Sequence, residues 1–412
     1  MAGPPAADPH GGNRIAIARR LGCRPEQLLE ASASLVPFGP PACLRRALRG
    51  AVGGTEAMPG PISALAPLVS GLAALRVPGA PRAASFSQLR DYPDRDYGAL
   101  RQVIAAHHGL DPAAVLPGNG AAELFTWVAR DAAAAGVSLL PSPGFADYRR
   151  ALACWGGIWR SLPLPMHWDG AFPQPFPLSA DACDGLAGTL WITNPHNPTG
   201  QLWSRRSLEP LLERFALVIA DEAFLPLVPG GEAQSLVPLL AAHPNLVVIR
   251  SLTKLFAIAG LRLGYALADP VRLAHWASWR DPWPVNGLAA LAGEVLLGDG
   301  PALERWLARV QGWVAAEGPW LADQLAAVTG LVPLPSATNF LLVRGELGGQ
   351  PLSLEPLRLA LQERHRILVR DCRSFEGLGE DWLRIALLDG AGNRRLLRAI
   401  RREGPGARPP GS

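Results

Sequence analysis

Four short apolar stretches in the middle of the chain alternate with longer segments of helical pattern. Their sequences are VSLLPSPGF, TLWITNPHNPTG, LVIADEAF and LVVIRSLTK. This alternation is typical of a mostly parallel β-sheet flanked by helices. Three of the stretches end in polar residues, at 194–199, 221–222 and 251–254. Because such sheets bind ligands at the carboxyl ends of their strands, we expect a functional site where these three segments meet.

Lys254 lies in the last of these segments. The chain contains 39 lysines and arginines in total, and Lys254 is the only lysine, which leaves 38 arginines. A desolvated lysine can lose its proton and react as an amine, whereas arginine stays protonated. Only the lysine amine can form a Schiff base with an aldehyde. Two interpretations remain open: a nucleophilic lysine at a strand end, or a surface lysine left by chance in an arginine-rich chain.

Composition indicates a globular protein and excludes several function classes. With 412 residues the chain exceeds one comfortable core, so we expect two domains. Its hydrophobic content of 49% allows extensive burial. The net charge of +4 comes from arginines scattered along the chain, apart from those in the C-terminal tail. This distribution gives a nucleic-acid partner little support.

Cysteine spacing and hydropathy give no sign of metal binding, disulfides or membrane insertion. The five cysteines, at positions 23, 43, 154, 183 and 372, include no CxxC pair and no zinc-type spacing with histidine. We therefore expect reduced thiols and no metal. The N-terminus MAGPPAADPHGGN lacks the pattern of a secretory signal, and no stretch of membrane-spanning length is free of charge and proline. These features predict a cytoplasmic protein without a membrane partner.

The predicted secondary-structure pattern changes after about residue 285. Beyond this point long helical segments surround candidate strands near NFLLVR, RILVR and WLRIALL. We interpret this part as a smaller α+β domain that the first fifty residues help to build. A stretch rich in Gly, Pro and Ala forms a candidate insertion. The predicted division is an N-terminal arm at 1–50, the insertion at 51–85, a large domain at 86–285, a small domain at 286–402 and a flexible tail at 403–412.

A lysine at a strand end suits pyridoxal phosphate, which makes further demands on its surroundings. Its ring nitrogen needs a buried carboxylate, and Asp221 follows an apolar strand. Its phosphate needs hydroxyls, amides and a cation, which Ser251, Thr253 and Arg262 can provide. The glycines of PGNGAAELF precede a helical pattern, so free amides there can bind an anion, although such a stretch is also common as a simple turn. Asn197 can donate to the phenolic oxygen of the cofactor, although Asn-Pro turns are more often structural.

The motifs NPHNPTG, DEAF and SLTKLFAIAGLRLGY occur in this order and resemble the class I/II aminotransferases, which are fold-type I pyridoxal-phosphate enzymes. Within that group the chain is most similar to the threonine-phosphate decarboxylases of cobalamin biosynthesis, relatives of the histidinol-phosphate aminotransferases. HGGNRIAIARRLG, DYPDRDYGALR, PGFADYRRAL and PWPVNGLAALAGEVLL carry this closer likeness. The resemblance runs from residue 10 to about 400, interrupted by the insertion. It implies an α/β fold, with a large, mostly parallel cofactor-binding domain and a smaller α+β domain.

The resemblance also implies roles for single residues. Lys254 corresponds to the Schiff-base lysine, Asp221 to the partner of the ring nitrogen, and Asn197 to the residue on the phenolic oxygen. Phe145 corresponds to the aromatic residue that stacks on the ring, and Arg384 to the arginine that binds the substrate carboxylate. The implied phosphate-binding residues are Gly120, Ala121, Ser251, Thr253, Arg262 and, from the other subunit of a homodimer, Tyr92. The implied substrate side includes His10, Asn13 and Ser34.

Three features bear on the substrate. His10 and Asn13 precede a helical pattern and can hold a phosphate, or they belong to a frayed terminus with a helix cap. Phe224 stands where aminotransferases usually have tyrosine, which favours the decarboxylase branch, although a packing role would explain it equally. Ser34 and Val36 stand where the family has asparagines, in SASLVP instead of SANINP, and DCRSFEG also departs from the family pattern.

The sequence therefore predicts decarboxylation of O-phospho-L-threonine to (R)-1-aminopropan-2-yl phosphate in cobalamin biosynthesis, with pyridoxal phosphate as cofactor. A histidinol-phosphate-type aminotransferase uses the same residues and is the first alternative, since the sequence does not reveal which substrate bond stands perpendicular to the ring. A catalytically silent cofactor-binding protein is the second alternative. The joint presence of Lys254, Asp221 and Arg384 disfavours it.

Overall fold

The computed structural model describes residues 11–52, 87–179 and 188–404. Of the candidate insertion at 51–85, residues 51 and 52 are described, at the end of a helix. His10 lies outside the described residues.

The strands of this part of the chain build two sheets, and helices pack on them. In chain order the strands are β1 (Leu29–Ala31), β2 (Val115–Asn119), β3 (Ser138–Ser142), β4 (Trp159–Pro163), β5 (Thr189–Thr193), β6 (Leu217–Asp221), β7 (Leu246–Ser251), β8 (Leu263–Ala268), β9 (Leu331–Pro333), β10 (Phe340–Leu347), β11 (Gln350–Pro351), β12 (Ile367–Asp371) and β13 (Trp382–Ala386). The α-helices are α1 (Arg14–Arg20), α2 (Ala42–Val52), α3 (Ser87–Arg90), α4 (Gly98–His108), α5 (Ala121–Ala135), α6 (Asp147–Ala153), α7 (Arg205–Leu208), α8 (Leu252–Phe256), α9 (Pro270–Trp279), α10 (Gly287–Gly298), α11 (Gly300–Ala326), α12 (Glu355–His365) and α13 (Gly390–Glu403).

The larger sheet has the strand order β2-β8-β7-β6-β5-β3-β4. Neighbouring strands from β7 to β4 are parallel, as the alternating sequence pattern predicts. β8 is the exception, because it lies antiparallel to both β2 and β7. Only residues 252–262 connect β7 with β8, and this link is too short for the crossover that parallel neighbours need. The chain therefore turns back directly after the segment that carries Lys254.

Both faces of the larger sheet are buried. Along β6, Val218 and Ala220 belong to one apolar core, and Leu217 and Ile219 belong to the other. The strands β5, β6, β7 and β8 are buried along their whole length. Because side chains on both faces need apolar surroundings, the sequences of these strands are nearly continuous apolar runs.

The parallel strands β5, β6 and β7 end at the same edge of the larger sheet. Thr193, Asp221 and Ile249 lie in register across the three strands. The polar segments at the strand ends therefore meet at this edge, as the sequence predicts. This edge is where the candidate site is found.

The smaller sheet has the order β1-β12-β13-β10-β11, with β9 paired to β10. The three strands expected after residue 285 are present as β10, β12 and β13. β1, from the first fifty residues, lies parallel to β12. Ala289 of α10 packs in one of the two cores of the larger sheet. α11 packs in that same core through Val310 and in the core of the smaller sheet through Leu321. The division of the chain at residue 285 stays a prediction.

Candidate active site

Lys254 lies in α8, directly beyond the carboxyl end of β7, and is half-buried. Burial, together with the nearby Arg384 and Arg262, lowers the pKa of its ammonium group to about 8. The carboxylates of Asp221 and Glu30 act in the opposite direction and only partly offset this effect. A fraction of the amine is therefore neutral near neutral pH, which a nucleophilic lysine requires.

Asp221 is the last residue of β6 and is buried. Its Oδ2 accepts a hydrogen bond of 2.6 Å from the Tyr148 hydroxyl, and its Oδ1 accepts one of 3.0 Å from the backbone N–H of Ala223. The Tyr148 oxygen also lies 2.8 Å from Oγ1 of Thr193. Burial raises the pKa of the Asp221 carboxyl to about 6, against the effect of these bonds. Such a buried carboxyl group can pair with a protonated ring nitrogen.

The N-terminus of α5 lies against Arg262. Gly120 precedes this helix with a φ of +75°, in the region that favours glycine. A Cβ at Gly120 would lie 2.5 Å from Nη2 of the Arg262 guanidinium. Backbone N–H groups at a helix start and an arginine together attract an anion. The predicted residues Gly120, Ala121 and Arg262 therefore lie together.

The start of α8 lies next to the start of α5. Ser251 precedes α8, and its Oγ accepts a hydrogen bond of 3.3 Å from the N–H of Thr253. Ser251 is in register with Gly264 on β8, and a Cβ at Gly264 would lie 2.8 Å from the backbone nitrogen of Ala121. The structure therefore brings the predicted serine and threonine beside the amides of α5.

Phe145 lies in the loop between β3 and α6 and is half-buried. Its ring meets the rings of Tyr148 and Phe125 edge-on, with centroid distances of 5.5 and 6.4 Å. The contact with Tyr148 places Phe145 beside the hydrogen bond between Tyr148 and Asp221.

Arg384 lies on β13 and joins the smaller sheet to the larger one. Its Nη1 donates to Oδ1 of the buried Asn197, and its Nη2 donates to the backbone oxygen of Ser32 at 3.1 Å. Its Nε is buried without a hydrogen-bond partner. Burial and the nearby Arg370 lower the pKa of the guanidinium to about 10. The described residues pair Arg384 with no carboxylate, so its charge is available for a substrate anion.

Arg370, on β12, is a second buried arginine, absent from the residues predicted above. It is in register with Arg384 on the neighbouring strand. Its Nη2 donates a hydrogen bond of 2.6 Å to Oγ of Ser374, and its guanidinium carbon lies 5.3 Å from the ring centre of Phe375. A buried arginine in an apolar strand usually has a functional or structural partner. The arginine that ends RILVR, which is Arg370, was therefore the sequence feature that could have indicated this site residue.

The loop at 32–36 runs from Arg384 to Lys254. Ser32 accepts the hydrogen bond from Arg384, and the N–H of Val36 donates to the backbone oxygen of Lys254 at 3.3 Å. Ser34, between them, is fully buried, and its Oγ has no hydrogen-bond partner. Burying a hydroxyl without a hydrogen-bond partner costs free energy, so this serine is suited to form a hydrogen bond with a bound ligand.

Ser32 also connects this loop to the N-terminal segment. Its Oγ donates to Oε1 of Glu30 at 2.6 Å and accepts from the N–H of Gly12 at 2.9 Å. Asn13 precedes α1, and its side chain makes no capping hydrogen bond with that helix. The described part of HGGN therefore lies next to the residue that holds Arg384.

Phe224 lies close to both Lys254 and the smaller sheet. Its ring centre is 5.8 Å from Nζ of Lys254 and 5.2 Å from the ring centre of Phe340, which it meets edge-on. The guanidinium carbon of Arg384 lies 4.9 Å from the Phe340 ring centre. The two phenylalanines therefore form an apolar contact beside both the Lys254 amine and the Arg384 guanidinium.

Tyr92 lies at the surface of the described chain. Of its accessible area 76% is exposed, and its ring stacks on Trp283 with 4.3 Å between the ring centres. Its role in a neighbouring subunit stays a prediction.

Neither a metal centre nor a membrane span is found in the described segments. Within residues 11–52, 87–179 and 188–404, no group of three or more His, Cys, Asp or Glu side chains is arranged to hold a metal ion. Each helix of these same segments is too short or too polar to cross a lipid bilayer.

Residues 72–400 match the sequence model of the family described as Aminotransferase class I and II. The threonine-phosphate decarboxylase of Salmonella typhimurium is 33% identical over 405 residues, which cover 95% of each chain. A histidinol-phosphate aminotransferase of Symbiobacterium thermophilum is 33% identical over 323 residues, which cover 77% of this chain and 84% of that relative.

The fold also matches a solved structure, that of histidinol-phosphate aminotransferase from Sinorhizobium meliloti in complex with pyridoxal-5'-phosphate. The TM-score is 0.73 at 22% identity, over 94% of both chains. The predicted α/β, fold-type I architecture is therefore confirmed. Because the family model matches residues 72–400 and the decarboxylase relative is 33% identical over 95% of each chain, the chain belongs to the class I and II aminotransferase family.

Proposed function

We propose that this chain decarboxylates O-phospho-L-threonine to (R)-1-aminopropan-2-yl phosphate with pyridoxal phosphate as cofactor. The observation that carries the proposal is the pair of buried arginines, Arg370 and Arg384, in register on neighbouring strands. Two guanidiniums at one site suit a substrate with two anionic groups. O-phospho-L-threonine carries a carboxylate and a phosphate. The relative from Salmonella typhimurium, named threonine-phosphate decarboxylase, supports the same substrate.

The residues around Lys254 fit pyridoxal phosphate. Lys254 provides an amine for a Schiff base, and Asp221 provides a carboxylate for the ring nitrogen. The helix starts at Gly120 and Ser251, together with Arg262, form a cradle for the phosphate, in which a Cβ at Gly120 would collide with the arginine. When bound, pyridoxal phosphate supplies a protonated ring that accepts the electron pair released at the substrate α-carbon.

Phe145 and Asn197 complete the proposed cofactor site. Phe145 would stack on the ring, since Tyr148 holds it beside Asp221. The Oδ1 of Asn197 is held by Arg384, so its Nδ2 is the atom that can donate to the phenolic oxygen.

Arg384 and Arg370 bind different anions of the substrate in this proposal. Arg384 contacts Asn197 and binds the α-carboxylate, as the family resemblance implies. Arg370, which lies opposite Arg384 on the neighbouring strand, binds the phosphate. The N-terminal segment, which Ser32 holds beside Arg384, contributes to the same phosphate site.

The reaction replaces the carboxylate by a proton. The bond between the α-carbon and the carboxylate breaks, carbon dioxide leaves, and Nζ of Lys254 delivers a proton to the α-carbon. Lys254 suits this role because its pKa of about 8 lies near physiological pH. Phe224, whose ring lies beside this amine, carries no group that could donate a competing proton.

A histidinol-phosphate-type aminotransferase is the second candidate. The Symbiobacterium thermophilum relative carries that name and is as identical to this chain as the decarboxylase relative. Such an enzyme would use Lys254 and Arg384 as well, but it would remove the α-proton and retain the carboxylate. Phe224 beside Lys254 favours the decarboxylase, since the resemblance places tyrosine there in aminotransferases.

The proposal includes a homodimer. Tyr92 and Trp283 form an exposed stacked pair. In a symmetric dimer this pair lies at the interface, and Tyr92 reaches the cofactor phosphate of the neighbouring subunit. A fully active monomer in analytical sedimentation would contradict this part of the proposal.

Incubation of the pure holoenzyme with O-phospho-L-threonine tests the reaction. We expect equal amounts of carbon dioxide and aminopropanol phosphate, and no 2-oxo acid. Free threonine should react far more slowly, because the binding energy of the phosphate is missing. Turnover of histidinol phosphate with 2-oxoglutarate, without carbon dioxide from O-phospho-L-threonine, would identify the aminotransferase instead.

A further inference from the structure

The loop at 371–377, which begins at the last residue of β12, contacts Arg370. Ser374 accepts the hydrogen bond of 2.6 Å from Nη2 of Arg370, and the Phe375 ring lies 5.3 Å from its guanidinium carbon. The loop therefore helps to hold this guanidinium in place through Ser374 and Phe375.

Glu376, the next residue, connects the loop to the larger sheet. Its carboxylate accepts hydrogen bonds from Oγ of Ser161 on β4, at 2.8 and 2.9 Å, and from Nη1 of Arg149 on α6, at 3.0 Å. Its backbone oxygen accepts a bond of 3.2 Å from Oγ of Ser142, at the end of β3. This one residue of the small-sheet loop thus contacts two strands of the larger sheet, β3 and β4, and the helix α6.

Helix α6 links these contacts to the cofactor site. Arg149, which pairs with Glu376, directly follows Tyr148, which donates to Asp221. The side chains of Glu376 and Arg149 are 44% and 28% exposed. Because exposed ion pairs contribute little to overall stability, this pair is better explained by the geometry it fixes.

We propose that Glu376 is a positioning residue for substrate binding. It fixes the 371–377 loop against the larger sheet, and through Ser374 and Phe375 it holds the Arg370 guanidinium at the site. The inference rests on the proposed function in one respect, because Arg370 is taken there as the residue that binds the substrate phosphate.

The test compares Glu376→Ala and Glu376→Gln with wild-type holoenzyme. Glu376→Ala should raise the KM for O-phospho-L-threonine about tenfold, which corresponds to ~1.4 kcal/mol, and should leave kcat and cofactor content unchanged. Glu376→Gln keeps an acceptor for Ser161 but loses the charge that faces Arg149. Its KM should therefore lie between that of the wild type and that of Glu376→Ala. Glu346→Ala is the matched control, because it removes a Glu–Arg pair of 3.0 Å between Glu346 and Arg344 within β10.

Hydrogen exchange of the 366–377 segment gives a readout that needs no substrate. Exchange in this segment should be faster in Glu376→Ala than in wild type or Glu346→Ala. If the wild type uses histidinol phosphate instead, the proposed function fails, but the same KM comparison applies because that substrate also carries a phosphate. Unchanged exchange in Glu376→Ala, or a KM rise equal to that of Glu346→Ala, would overturn the role of Glu376.

Discussion

Arg384 on the smaller sheet donates a hydrogen bond to Asn197 at the edge of the larger sheet, and both side chains are buried. The bond joins the arginine proposed for the substrate carboxylate to a residue proposed for the cofactor. The same guanidinium binds the backbone oxygen of Ser32. Variants on the two sides of this contact should therefore separate effects on cofactor binding from effects on substrate binding.

Lys254 is expected to be the site of covalent cofactor attachment, since it is the only lysine in the chain. Attack requires the neutral amine, so cofactor uptake by the apoenzyme should become faster as pH rises, with a midpoint near the lowered pKa of about 8. The direction follows because burial and nearby arginines disfavour the charged ammonium. Rapid-mixing reconstitution across pH measures the midpoint, and borohydride reduction with mass spectrometry locates the adduct.

Lys254→Arg is the control for this prediction. It should keep the fold and yield no reduced adduct, because guanidinium is not a usable amine. A midpoint near the ordinary lysine value of 10.5, or an adduct on a peptide without Lys254, would contradict the assigned role.

Tyr148→Phe removes the hydrogen bond to Asp221 and keeps the aromatic ring. Without this bond Asp221 should stabilise the protonated ring nitrogen of the cofactor less well. The kcat should therefore fall about tenfold, corresponding to ~1.4 kcal/mol. Steady-state kinetics measures this change. Tyr97→Phe is the matched control, since it removes another buried hydroxyl bond, to the backbone oxygen of Val285. It should reduce thermal stability alone, and equal losses of kcat in both variants would refute the specific role of Tyr148.

Gly120→Ala places a Cβ against Nη2 of Arg262 at a φ of +75°. The affinity of the apoenzyme for pyridoxal phosphate should fall about tenfold, because the Arg262 guanidinium must move away from the start of α5 to accommodate the new Cβ. Gly109→Ala shares a positive φ, of +66°, but its Cβ would meet nothing within 4 Å. It should carry a backbone strain of ~1 kcal/mol without loss of affinity. Equilibrium dialysis compares the two, and wild-type affinity in Gly120→Ala would exclude this cradle as the phosphate site.

The large-sheet side of the candidate site was the part that local sequence pattern could predict. Asp221, Ser251 and Lys254 lie at or directly beyond the ends of buried strands, so the apolar run that predicts each strand also locates its end. The reversed direction of β8 was less visible, because it follows from the short link at 252–262 rather than from the strand sequence.

The substrate side was harder to predict because it depends on contacts between distant parts of the chain. Ser32 and Arg384 are 352 positions apart, and β1 lies beside β12 in the smaller sheet although the two strands are distant in the chain. Arg370 ends a strand whose pattern was clear, but its proximity to Arg384 follows from the register of β12 with β13. A local sequence pattern does not specify which residues of β12 and β13 lie opposite each other.

The fate of the substrate α-carbon in D2O tests decarboxylation most directly. With O-phospho-L-threonine, we predict that NMR finds 1-aminopropan-2-yl phosphate with a single deuterium on the carbon that carried the carboxylate, matched by an equal amount of carbon dioxide. The deuterium reaches that carbon through Nζ of Lys254, which exchanges with solvent. Recovery of O-phospho-L-threonine with its α-hydrogen replaced by deuterium, or formation of a 2-oxo acid, without carbon dioxide in either case, would contradict decarboxylation as the function.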